Sequence, residues 1–145
     1  MIQVLVDRLV LEQEERILIL VLELMLKLLE GQKASGIILT TLVHTRLNDH
    51  TQSGNARIRE LSALNLGSIS FGDRGKEATI KAESIPLLVR MLDDSDSKCR
   101  ESATRALISV AQLKEGKVQI YELNSLNRII ELLRDPSDQT RLNVV

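Results

Sequence analysis

The sequence predicts an all-α fold, a solenoid of about three and a half stacked helical units. Three observations lead there. Blocks of sequence recur 41 residues apart. Apolar residues fall at i, i+3, i+4 and i+7, the spacing that lines one face of a helix. Only 7 Gly and 2 Pro occur in 145 residues, too few turn formers for an all-β chain. A hydrophobic fraction of 43% is enough to bury a core and disfavours disorder.

The repeat is clearest in its later copies. Ile85-Pro-Leu-Leu-Val-Arg-Met-Leu-Asp-Asp94 aligns with Leu126-Asn-Arg-Ile-Ile-Glu-Leu-Leu-Arg-Asp135. The same ungapped shift carries Arg59-Glu60 onto Arg100-Glu101, Gly75-Lys76 onto Gly116-Lys117, Ser84 onto Ser125 and Arg100 onto Arg141. An earlier copy carries small insertions or deletions: Arg16 opens a helix and Gly31 ends it, echoing Arg59 to Gly75. The units fall approximately at 1–31, 32–75, 76–116 and a truncated 117–145. A lone four-helix bundle would leave the ungapped shift unexplained.

Taken in order, the elements follow from local chemistry. An apolar helix precedes the acidic break Glu12-Gln-Glu-Glu15. The next helix, Arg16 to Glu30, is Leu, Ile, Val or Met apart from one stripe of Arg16, Glu23, Lys27 and Glu30. So apolar a helix is expected to be buried on most sides. Its core, Ile17 to Leu29, rises only ~20 Å against a hydrocarbon thickness of ~30 Å, and Glu23 and Lys27 interrupt it. The segment Asp49 to Asn55 reads as an insertion, about four residues longer than the loop at Asp94. Ser62, Asn65, Leu66 and Ile69 then form a stripe. Ser84 and Ser125 read as N-caps, with Pro86 in the first turn. The helix from Ile85 presents Leu88, Val89 and Leu92, then breaks at Asp93 to Ser97. A longer helix from near Lys98 carries Ala103, Ala106, Leu107 and Val110, whose small residues allow a neighbouring backbone to come close. Gly116 ends that region, and Val118 to Leu123 form a short further helix.

Composition and motifs argue against most chemistry. With 19 basic and 20 acidic residues the net charge is −1, so nothing draws the whole chain to nucleic acid or an acidic membrane. Phe71 and Tyr121, the only aromatics, cannot build a stacking platform or a cation cage. A single cysteine, Cys99, forms no internal disulfide and suits a reducing compartment. It stands in the first turn of a long helix, at a non-repeating position, and reads as a partly buried inert thiol. The N-terminus has neither a basic leader nor a cleavage pattern.

Gly72-Asp-Arg-Gly-Lys76 lacks the first Gly of a phosphate loop, because Ser70 stands there, and Glu77 replaces its hydroxyl residue. Asp94-Ser-Asp96-Ser-Lys98 lacks the turn glycine of a calcium loop, and Arg105 stands where the closing Glu is needed. His44 and His50 are six apart rather than four, which suits surface residues better than a metal pair. No catalytic residues, cofactor, metal or small-molecule substrate are expected.

Short, middle and long helices at this period resemble armadillo or HEAT arrays, and the glycine between units with the long third helix favours armadillo. Nuclear-import receptors of that class hold basic peptides with Trp and Asn on successive turns of the third helix. The matching positions here are Arg105 and Ser109, Leu64 and Ser68, and in the first copy Leu20 and Leu24. The Trp–Asn ladder is missing. These six residues are the candidate partner-binding positions on the concave face, and they suit a protein surface rather than a Lys-rich peptide.

Arg57-Ile-Arg-Glu-Leu-Ser-Ala-Leu-Asn-Leu66, Gly75-Lys76, Ile85 to Asp94, Glu115-Gly-Lys117, Ile129 to Pro136 and Thr140-Arg-Leu-Asn143 together resemble the armadillo-repeat radial spoke head proteins of motile cilia, across essentially the whole chain. The resemblance implies a non-enzymatic scaffold of the ciliary or flagellar axoneme, within cytoplasm and cytoskeleton, with radial spoke subunits as partners and neither nucleic acid nor membrane. The alternative is a cytosolic armadillo adaptor for an extended peptide, unrelated to cilia. Met1 falls inside a middle helix and Val145 in the first turns of a third one. Val4, Leu5, Leu9 and Leu11 at one end, and Val144-Val145 at the other, lack the polar face of capping repeats. The ends are therefore expected to be covered by further repeats or partner chains, and the isolated chain to be oligomeric or aggregation-prone.

Overall fold

The computed structural model describes residues 2–31 and 41–145. The start of the second unit, 32–40, lies outside them. Among the described residues ten α-helices follow in order: α1 (Ile2–Leu11), α2 (Glu15–Gly31), α3 (Thr41–His50), α4 (Ala56–Ile69), α5 (Asp73–Lys81), α6 (Ser84–Met91), α7 (Ser97–Val110), α8 (Lys114–Glu122), α9 (Leu126–Glu131) and α10 (Asp138–Val144). A 3-10 turn, Leu132–Arg134, extends α9. Among the described residues there is no strand. The all-α solenoid expected from the repeat is present.

The helices sort into layers that follow from the period. α2, α4, α7 and α10 stack in series, each packing on the next. Behind them α1, α3 and α6 form a second row, and Arg128 of α9 reaches the end of α6 at the Leu92 carbonyl and Asp93. The short helices α5 and α8 connect the rows. The same seven positions are buried on α4 (Ile58, Leu61, Ser62, Ala63, Asn65, Leu66, Ile69) and, 41 residues on, on α7 (Cys99, Ser102, Ala103, Thr104, Ala106, Leu107, Val110). Small residues let the two axes approach: a Cβ at Gly67 would lie 3.4 Å from the Ala106 backbone. The Asn65 side chain spans the next gap, donating to the Leu22 carbonyl at 3.0 Å and the Leu61 carbonyl at 2.8 Å. Cys99 donates through Sγ to the Ala56 carbonyl at 3.2 Å.

Several local expectations change. The N-caps of the long helices recur at Asn55, Asp96 and Ser137, whose side chains accept from Arg57, from Lys98 and Cys99, and from Thr140. Ser84 does not cap, and Ser125 stands at the N-cap of α9 without a side-chain cap bond. Glu83 and Asn124, 41 apart, instead turn the chain with φ of 57° and 53°. Ser84 already lies inside α6, and the Ser125 hydroxyl donates back to the Ile120 carbonyl at 2.7 Å. The segment at Asp49 is no insertion. α3 runs through Asp49 and His50, so residues 51–55 join it to α4 just as 92–96 join α6 to α7.

Gly75 and Gly116 do not end the long helices; they lie within the first turns of α5 and α8. A Cβ at Gly75 would meet the Ile69 carbonyl oxygen at 1.7 Å, and one at Gly116 the Val110 oxygen at 2.1 Å. The short helix starts against the last turn of the long one, and only glycine fits.

His44 is 1% exposed rather than solvated, and its Nε2 lies 3.2 Å from the Thr79 hydroxyl, which also accepts from Ser70 at 2.8 Å. α5 supplies the polar partner that lets an imidazole sit in the core. His50 is half-buried, and burial holds its pKa below 6.5. Burial at the Cys99 position also repeats, through Ile58 and Thr140, although the residue type does not.

Gly75→Ala and Gly116→Ala are expected to destabilise the fold by about 1–3 kcal/mol each through overpacking against backbone. Thermal melts followed by circular dichroism check this, with exposed Gly54→Ala, whose Cβ meets nothing within 4 Å, as the control.

Candidate functional site

The long helices are aligned by a recurring arginine clasp. Arg59, one turn into α4, places Nε and Nη2 on the two carboxylate oxygens of Asp94 at 2.7 and 2.8 Å. Its Nη1 donates to the Ser53 and Gly54 carbonyls at 2.9 and 3.2 Å. Arg100 repeats this on Asp135 (2.7 and 3.1 Å) and on the carbonyls of Asp94 and Ser95 (2.9 and 3.3 Å). Arg141 holds the Asp135 carbonyl at 2.5 Å and pairs with Asp138. Each aspartate also closes its own loop, Asp94 accepting from the Asp96 amide and Asp135 from the Ser137 amide, both at 2.9 Å. One guanidinium therefore ties its own loop to the loop of the following unit, in the bidentate geometry arginine favours. The arginine holds Asp94 and Asp135 below the usual carboxylate range, and the aspartates push both guanidiniums up.

The candidate partner-binding positions lie on α2, α4 and α7. Leu20 and Leu24 are exposed there, at 63% and 43%. Leu64 and Ser68 on α4 are half-buried; on α7, Arg105 is exposed and Ser109 half-buried, its hydroxyl turned to the Arg105 carbonyl. Helix α2 departs from its expected near-complete burial, because Ile17, Leu20 and Leu24 are all open while Leu18, Leu22, Met25 and Leu29 face the core. Arg57 links α2 to α4 across this face, 2.6 Å from Glu23 and 2.9 Å from Glu60, and both carboxylates push its pKa up.

Sequence reasoning missed Phe71, Ile108 and Tyr121, exposed by 87%, 42% and 67%. The repeat held a signal for the first: 41 residues after Phe71 stands the exposed polar Gln112. Cys99 is fully buried, and its thiol is pushed up to about 12 by burial, which keeps it protonated at neutral pH. Asp94 and Asp96 are engaged by Arg59 and by the α7 amides, so the calcium-like spacing serves the clasp and the cap. Among the described residues, no group of three or more His, Cys, Asp or Glu side chains is placed to hold a metal. No helix among them is long and apolar enough to cross a membrane.

Serial long helices, a second row and short connectors define an α-solenoid of the armadillo/HEAT type. The HEAT repeat family matches residues 85–113. No curated protein matches the chain. An engineered protein superposes with a TM-score of 0.86 at 17% identity, covering 99% of this chain and 59% of its own. A designed armadillo repeat protein in complex with the peptide (KR)4 gives 0.84 at 17%, covering 97% and 59%. A structure from work on a phosphorylation switch in the interaction between cadherin and beta-catenin gives 0.85 at 18%, covering 98% and 27%. At these identities the likeness is one of fold, and this chain spans about three fifths or less of those structures.

The clasp yields a prediction. Asp135→Asn leaves the Arg100 guanidinium, 12% exposed, without its counter-charge, and is expected to remove about 3 kcal/mol of stability in urea titration. The folded carboxylates titrate below their ordinary 3.8, so their contribution is present above that value and fades as pH falls through the lower folded one. A series of unfolding midpoints should fall there in the native chain and fall less in Asp94→Asn and Asp135→Asn.

Proposed function

We propose that this chain is a non-enzymatic protein-binding scaffold whose partner lies on the open face of the long helices. The observation that carries this is the row Ile17, Leu20 and Leu24, apolar and exposed on a helix that is otherwise core. Apolar side chains left open in line on a rigid array suit a protein surface. Leu64, Ser68, Arg105 and Ser109 continue that surface along α4 and α7. The solenoid fold and the similar solved structures support the coarse reading: one of them is in complex with the peptide (KR)4 and another concerns the interaction between cadherin and beta-catenin.

The finer reading rests on the sequence resemblance to armadillo-repeat radial spoke head proteins. By it the scaffold is an axonemal component, in the cytoskeleton of a cilium or flagellum, supporting spoke assembly and motility with other spoke subunits as partners. A second reading, a cytosolic adaptor for an extended peptide, is favoured by the peptide-bound designed armadillo structure. The lack of a Trp–Asn ladder weighs against a basic peptide as its ligand.

Two measurements test these. A tagged chain expressed in ciliated cells should give an axonemal signal that survives detergent; diffuse cytosolic signal would instead support the adaptor. Leu20→Ser with Leu24→Ser should reduce recovery of the partner at least tenfold while the circular dichroism stays unchanged. Undiminished recovery would remove this face from the binding site.

A further inference from the structure

Phe71 stands 87% exposed in the interior of the array. It follows the C-cap of α4, a helix with a long neighbour on either side, α2 and α7. Its exposure is therefore seen with both neighbours in place. The repeat does not call for an aromatic there: Gln112 holds the same place one unit on, and α7 still turns into α8. A large apolar side chain that the fold does not use marks a contact surface.

The register of α4 and α7 shows what surrounds it. The two helices bury the same seven positions 41 residues apart, so the positions they leave open fall in register too. Leu64, half-buried, lies two turns before Phe71 on α4, and the Phe71 amide still bonds back to the Ser68 carbonyl at 3.3 Å, carrying the stripe onward. Only the small Gly67 and Ser68 stand between them on that stripe, over ~10 Å of helix, which leaves room for one apolar side chain of a partner. On α7 the counterpart of Leu64 is Arg105, exposed and, like Lys98 below it, without an ion pair among the described residues. The carboxylate between those two cations, Glu101, is half-buried, and Arg57 of α4 is already engaged by Glu23 and Glu60. The charges a partner meets first on α7 are cations, and a guanidinium covered by a partner needs a carboxylate.

We propose, resting on the scaffold reading, that the α4–α7 facet docks an acidic and apolar segment of the partner protein. One apolar side chain settles between Leu64 and Phe71, and a carboxylate meets Arg105.

The probes are short fluorescent peptides that alternate Leu with Glu, with Gln or with Lys, titrated against the chain by anisotropy. The Leu–Glu peptide should bind at least tenfold more tightly than the other two and lose affinity as salt rises. Phe71→Ser should weaken it at least tenfold. Arg105→Glu should do the same and turn the preference to the Leu–Lys peptide, a reversal that a merely structural arginine would not produce. Both residues are exposed, so helix content and Tm should stay unchanged. If either variant melts early, Phe71→Gln and Arg105→Gln take their place.

A Leu–Glu peptide that fails to bind, or binds no better than Leu–Lys, would overturn the proposal, as would affinity that neither variant moves. Self-association that Phe71→Ser abolishes in sedimentation velocity would overturn it too, giving the facet to a second copy of this chain. Partner recovery separates the two readings. If Leu20→Ser with Leu24→Ser reduces it and Phe71→Ser with Arg105→Glu does not, the scaffold stands and this docking chemistry falls.

Discussion

The arginine clasp is the constraint on which the array depends. Stacked helices with apolar flanks could slide or rotate, since burial is roughly proportional to area and weakly directional. A planar guanidinium held by two carboxylate oxygens and two carbonyls tolerates little of either. Because Arg59 and Arg100 each join two successive loops, each clasp fixes the distance from one unit to the next. Among the described residues no such clasp joins the first unit to the second: Ser53 stands where the later units have Asp94 and Asp135. There the connection is made by Asn65 on the Leu22 carbonyl and by the surface pair of Arg57 and Glu23.

Fixing the spacing has consequences at both surfaces of the long helices. Towards the core, close stacking demands Ala103, Ala106 and Gly67 where longer side chains would separate the axes. At the helix ends it drives α5 and α8 against the last carbonyls of α4 and α7, and glycine becomes obligatory at Gly75 and Gly116. Towards solvent, Leu20 and Leu24 stay exposed on α2, where Arg57 of α4 reaches Glu23. Structure and proposed function therefore meet at the same helices, one side packed to the limit and the other left open.

Much of this was legible in the sequence, and the reason is periodic. Residues repeated at 41 report requirements that every unit shares: Arg59 and Arg100, Gly75 and Gly116, Asp94 and Asp135. Their roles were less legible. Gly75 reads as a helix terminator, yet it serves a close approach from outside the helix. Ser84 and Ser125 read as caps, because a hydroxyl before an apolar run has that signature, yet Glu83 and Asn124 make the turn. The Asp94 loop resembles an ion site, because a carboxylate that closes a loop is arranged similarly whether its counter-charge is a metal or an arginine.

The sequence by itself determined the all-α class, the period, the buried stripes of α4 and α7, and the want of a Trp–Asn ladder. These depend on local spacing and residue type, which a single chain records directly. Only the tertiary structure decided that His44 is core, that α2 leaves Ile17, Leu20 and Leu24 open, and that Arg59 reaches Asp94. The histidine and the arginine each meet a partner 35 residues away, and on α2 helical periodicity shows which face is apolar but not what covers it.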